Sequence, residues 1–184
     1  MSLDTALEDG IVYYVNAGGS KVFVPFCLTI DGKVYFFGQT GIDYKVMANP
    51  KQFGDVSGHW AYDSILAIAS REVFQGYPDG NFQPRSSMTR AMLATALARM
   101  AIADTGDYKT RVFDDVAPDS WYGPSVAWAF EKGIASGVGN DKFAPDANVT
   151  RQEMAVMLSR FINYMEIKMK TSNASPFADQ ELAS

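Results

Sequence analysis

Cysteine and histidine occur once each, as Cys27 and His59, in a chain of 184 residues. A single cysteine excludes an intrachain disulfide and any cysteine-cluster metal site, and its place in an alternating apolar segment reads as strand core. With one His and one Cys far apart in sequence, a Cys–His nucleophile has no support, and no Gly-x-Ser-x-Gly elbow is present for a Ser-His-Asp site. Positive charge is scarce as well. Sixteen Lys and Arg (16) stand against 21 Asp and Glu, a net charge of −5, with no Lys/Arg cluster, which argues against general binding to nucleic acid or an anionic membrane. No apolar run approaches the ~20 residues needed to span a bilayer. The opening Met-Ser-Leu-Asp-Thr lacks the basic stretch and apolar core of a signal peptide. What remains, 47% hydrophobic and 20% charged, is the composition of a globular chain with a real core.

The sequence changes character near Asn49-Pro50. Before that point, β-branched and aromatic runs (Ile11–Val15, Val22–Phe26, Val34–Phe37, Tyr44–Val46) alternate with glycine-rich stretches. Asp31-Gly32 between two such runs predicts a tight hairpin, because both residues tolerate positive φ. The segment reads as a meander of three or four strands. A sheet that small is marginal alone, so it must either pack on the rest of the chain or be the tail of a larger β domain, and for residues 1–49 the tail of a preceding β domain is the expectation.

After Pro50 the pattern becomes helical and repeats. Trp60 and Trp121, Gly76 and Gly137, Phe82 and Phe143, Pro84 and Pro145, and Arg90 and Arg151 all lie 61 residues apart, and the openings at Phe53 and Phe113 lie 60 apart. Repeat boundaries are expected at 50–109 and 110–172, with a third, truncated copy at 173–184 opening on Phe177-Ala-Asp179. Each copy reads as helix, glycine-rich loop, helix. In the last helix Met154, Met157, Leu158, Phe161, Ile162 and Met165 form one apolar stripe. Thr150-Arg-Gln-Glu153 predicts a capping box, and Thr89 a plain cap, since Met92 replaces the acid. Pro124 suits a first helical turn. Trp60 and Trp121 each open an apolar stripe, which favours the core over ligand contact.

Phe-x-Asp-Val, Trp, a glycine-rich loop with Phe-x-Pro, then Thr-Arg: this pattern resembles the S-layer homology domain from Phe53 to about Met165. The resemblance implies a mainly α fold, in which helix-loop-helix repeats surround a helical bundle with pseudo-threefold symmetry. It also implies non-covalent anchoring of an exported protein to secondary cell wall polysaccharide, outside the cell, in the wall or S-layer. The polymer is expected to be pyruvylated and to bind in grooves between repeats. The arginine of the Thr-Arg motif is the family's anionic-ligand contact, which points to Arg90 and Arg151 with their caps Thr89 and Thr150. An arginine in a first helical turn sits where the helix already favours an anion, and its fork matches a carboxylate. Gly76 and Gly137 would let backbone approach a sugar, and Trp60, Tyr77 and Trp121 are the candidate stacking faces.

No cofactor and no metal is implied. Asp79-Gly80-Asn81 lacks the spacing and terminal Glu of a calcium loop, and the methionines sit at core spacing. Asp114-Asp115 reads as a turn and cap at the repeat opening rather than as a glycosidase pair. Catalysis is therefore not expected of these residues, although the parent protein could carry an enzyme elsewhere. The rival expectation is a protein–protein assembly module of a surface lattice, with self-association and no glycan bound.

Overall fold

The computed structural model describes residues 1–168, so the expected third repeat opening at Phe177 lies outside the described residues. Six short strands and then four helices follow one another. The strands are β1 (Ser2–Asp4), β2 (Ile11–Val15), β3 (Lys21–Phe23), β4 (Cys27–Ile30), β5 (Lys33–Phe36) and β6 (Lys45–Met47). The helices are α1 (Tyr62–Ser70), α2 (Arg90–Met100), α3 (Gly123–Glu131) and α4 (Arg151–Tyr164).

The N-terminal segment forms two antiparallel three-stranded sheets, ordered β1-β5-β4 and β3-β2-β6, rather than a single meander. Asp31 and Gly32 make the hairpin, with φ of 49° and 71°, and Ile30 pairs with Lys33 across it. β1 is too short and too polar to signal itself in sequence, yet it completes the first sheet by pairing Leu3 with Val34. Ile11, Val12, Val24, Cys27, Val34 and Phe36, from both sheets, share one buried cluster, so Cys27 is strand core as expected. The cluster reaches Ile102 beyond α2. The segment is fastened to the repeats by Arg71 donating to the Cys27 carbonyl at 3.2 Å and by Asn49 donating to the Ser70 carbonyl at 2.6 Å.

The expectation of a mainly α fold is corrected. Helix accounts for 26% and strand for 15%, a mixed fold. The helical periodicity is real but brief, because α1 and α3 have only 9 residues each and most of every repeat is opening turn and loop. All four helices close on a residue with positive φ at the position after the C-cap (Glu72, Ile102, Gly133 and Glu166). The next N–H then reaches back to a carbonyl in the last turn, as in Val73 to Ile68 and Ile134 to Ala129.

The main core lies between α2, α3 and α4. Trp128, Phe143, Ile134, Leu97, Val116 and Val126 are fully buried there, each burial contributing about 1.5–3 kcal/mol for a Val- to Phe-sized side chain. α2 is buried on nearly every side, and its alanines at 91, 94, 96 and 98 let neighbours approach all round. α4 is covered on one side only. Of its predicted stripe, Met157 and Phe161 are buried, whereas Leu158 is 37% exposed. The core reading of Trp60 and Trp121 is overturned, for they are 91% and 61% exposed. Both precede their helices instead of lying on them, so the helical stripe does not reach them. The buried tryptophan is Trp128, edge-on to Tyr164 at 5.5 Å.

Candidate functional site

Each repeat first closes on itself. In the first copy the Asp55 carboxylate accepts from the amides of Phe82 and Gln83 at 2.9 and 2.7 Å. In the second, Asp115 accepts from Phe143 and Ala144, both at 2.8 Å. The amide of Phe82 foremost, then that of Gln83, holds Asp55 below the usual carboxylate range. Burial pushes Asp115 up, but the two amides outweigh it and leave it lowered. The aspartate of Phe-x-Asp is thus the latch of the glycine-rich loop, and the phenylalanine is its lid. Phe53 packs on Phe82 at 5.3 Å and Phe113 on Phe143 at 5.5 Å. Gly76 and Gly137 lie beneath those lids. A Cβ on Gly76 would come within 2.5 Å of the Phe53 ring, and one on Gly137 within 2.7 Å of the Phe113 ring.

The two copies then lock together at the start of α2. The free N–H groups of its first turn are met by the second copy's loop, Arg90 N–H to the Ala147 carbonyl at 2.9 Å and Ala91 N–H to Pro145 at 3.0 Å. Thr89 caps with its hydroxyl accepting from Met92 N–H at 3.2 Å, and its backbone bridges to Asn148. Arg90 is 5% exposed. Its guanidinium donates to the carbonyls of Phe143 and Ser136, both at 2.8 Å, pairs with Glu153, and lies 4.7 Å over the Phe143 ring. Glu153 has a second task. With Thr150 it forms the predicted capping box of α4. The Thr150 amide, then its hydroxyl and Arg90, hold Glu153 below the usual carboxylate range, against the upward push of burial.

Where the copies meet, a groove of 400 Å³ opens, lined by Arg90, Gly137, Gln152, Glu153 and Arg160 among others. Residues 52–92 and 112–155 match the S-layer homology domain. These two segments are S-layer homology repeats. The chain is 32% identical over 133 residues to the surface-layer 125 kDa protein of Lysinibacillus sphaericus, covering 72% of this chain and 11% of that protein. It is 30% identical over 142 residues to the S-layer protein sap of Bacillus anthracis, covering 77% of this chain and 17% of that one. It is 28% identical over 139 residues to an amylopullulanase of Thermoanaerobacterium thermosulfurigenes, covering 75% of this chain and 7% of the enzyme. The chain therefore spans less than a fifth of the length of these relatives, two S-layer proteins and one amylopullulanase. Repeats of this kind belong to S-layer and cell-surface proteins. Among the described residues no helix is long and apolar enough to cross a membrane.

The S-layer homology repeats bring some of the candidate residues together and keep others apart. Arg90 and Gly137 share the groove, whereas Thr89 does not line it and caps the helix that Arg90 begins. Gly76 is the equivalent position in the first copy and lies under Phe53, not in this groove. Arg151 and its cap Thr150 stand exposed at the start of α4. Trp60 lies beside His59, at 5.6 Å between rings, and Trp121 lines a different cleft. Arg160 was not singled out by the sequence, although it lies in the groove and donates to the Ser136 hydroxyl at 2.9 Å. Only its position, nine residues beyond Arg151 on the same helix, could have pointed to it.

Proposed function

We propose that these repeats hold an exported protein on the cell wall by binding an anionic, pyruvylated wall polysaccharide in the groove between them. The observation that carries the reading is the groove itself, because Arg90 of the first repeat and Arg160 of the second converge on it with the backbone of Gly137. The two cations divide the task. The Arg90 donors are engaged by Phe143, Ser136 and Glu153, so Arg90 shapes the groove, while Arg160 retains N–H groups for a carboxylate. Arg151, exposed at the N-terminus of α4, offers the equivalent position at the outer side of the second repeat. Thr89, Thr150 and Gly76 act on this reading as supports of the motif, and Trp60 as an outlying stacking face, while Trp121 lines a different cleft. The segment does no chemistry itself; any catalysis belongs to other parts of the protein that carries it.

The test is retention of the chain on purified Gram-positive sacculi, before and after the secondary polysaccharide is stripped. Retention should vanish on stripping and weaken in Arg160→Ala and Arg151→Ala, both folded. Equal retention on stripped walls would overturn the reading. A second reading, assembly of copies in a surface lattice, is favoured by the open side of α4, where Val156 and Leu158 are 43% and 37% exposed, and by Ile167 just beyond it, 43% exposed. Self-association that rises with concentration and ignores both arginine variants would support it.

A further inference from the structure

A second cleft, of 660 Å³, lies where the N-terminal β segment meets the repeats. Its walls bring together Tyr14 and Lys21 from the sheet, Thr95 and Arg99 from α2, Ser125 from α3, and Trp121. Its size falls within the roughly 300–1,000 Å³ of small-molecule sites.

The lining specifies what kind of molecule fits. Its fixed charges oppose one another, Lys21, Arg71 and Arg99 against Glu72 and Asp104. An anion would face two carboxylates and a cation three bases, while an apolar guest would strip water from all five. A neutral ligand rich in hydroxyls meets none of these objections, since each hydroxyl both donates and accepts. Arg99 has the capacity to receive it. Of five N–H groups, one goes to the Val73 carbonyl at 3.1 Å and one to Gln75 at 2.9 Å. Tyr14 and Ser125 bring hydroxyls to the same walls. Thr95, also in the lining, is buried and polar. Trp121, a residue 61% exposed, borders the cleft with a flat apolar ring set edge-on to Tyr122 at 5.2 Å.

We propose that this cleft binds a neutral saccharide unit, its ring stacked on Trp121 and its hydroxyls bonded to Arg99 and the wall hydroxyls. The site is separate from the groove at Arg90 and does not depend on it.

The test is an NMR titration of the folded chain with N-acetylglucosamine, glucose and glucuronic acid, reading the Trp121 indole N–H and the amides of residues 121–125. Saturable shifts are expected with the neutral sugars. Trp121→Ala, which removes a mainly exposed ring, should weaken binding at least about tenfold on the remaining amides. Tyr14→Phe, which removes one hydroxyl only, should weaken it by a smaller factor. Arg151→Ala should leave the titration unchanged, so that failure of the groove reading and failure of this one are told apart. Shifts that do not saturate, or that ignore both Trp121→Ala and Tyr14→Phe, would overturn the site. Tighter binding of glucuronic acid than of the neutral sugars would overturn the assignment of ligand class.

Discussion

Arg90→Ala and Arg151→Ala alter the same motif position in two successive repeats, and the structure predicts opposite outcomes. Arg90 is 5% exposed and spends its guanidinium on the Phe143 and Ser136 carbonyls, each at 2.8 Å, and on Glu153. Truncation leaves both carbonyls without their donor and Glu153 without its cation. Rupture of a buried ion pair costs about 3–5 kcal/mol. Because the Glu153 side chain is 33% exposed and can recover some hydration, the lower end applies, about 3 kcal/mol. For a chain of this size each kcal/mol moves Tm by about 2–4 °C, so Arg90→Ala should melt about 6–12 °C below the parent. Arg90→Lys keeps the charge, but its three N–H groups sit on one nitrogen and cannot span acceptors now met by Nε, Nη1 and Nη2 separately, so it should lose about 1–2 kcal/mol. Arg151 is exposed, and its replacement should stay within about 0.5 kcal/mol. Thermal unfolding followed by circular dichroism on the 184-residue chain measures all three. If Arg90→Ala melts with the parent, or Arg151→Ala falls as far, the clamp between the repeats is not what holds them.

Three further outcomes are expected. Glu153, held down first by the Thr150 amide, and Asp115, held down by two amides despite burial, both have lowered pKa values. A depressed folded pKa contributes stability above the unfolded value of about 4 and loses it as pH falls through the folded one. Tm should therefore be nearly flat from about pH 7 to 5 and drop below about pH 4, and a fall already complete by pH 5 would contradict this. Gly76→Ala places a Cβ within 2.5 Å of the Phe53 ring, at a φ of 71°, and should cost about 2–4 kcal/mol by chemical denaturation. Glu166→Gly relieves a non-glycine residue at φ 53° after α4 and should raise stability by up to about 1 kcal/mol.

Much of this arrangement was legible in the sequence wherever the signal was local. Asp31-Gly32 named its own turn, Thr150 and Glu153 their capping box, and the 61-residue offset the two repeats. What sequence could not give was environment. Arg90 and Arg151 occupy one motif position, but only Arg90 has a following loop packed over it among the described residues, so one is buried and the other exposed. The tryptophans failed for a related reason. Trp60 and Trp121 were in phase with the helices that follow, but the chain turns into those helices only at Tyr62 and Gly123. Phase without a helix buries nothing. The mixed fold escaped notice because helical periodicity marks where helices lie, not how much chain the latched loops between them consume.

The Arg90–Glu153 contact also gives the repeats a direction. It runs from the Thr-Arg of one copy to the acid of the next, and the first copy carries Met92 where that acid would stand. Met92 meets the Tyr77 hydroxyl at 3.9 Å, a weak contact, and a repeat packed on that side would find a thioether where its arginine needs a carboxylate. The clamp is therefore handed forward along the chain, from Arg90 toward Arg151, and not backward. Because the groove is walled by the same residues that clamp the copies, a ligand spanning Arg90 and Arg160 binds only the docked arrangement. Such a ligand must stabilise the docking by as much as docking strengthens its own binding. Loosening the clamp with Arg90→Lys should then weaken wall retention in proportion to the docked population lost, even though the charge is kept.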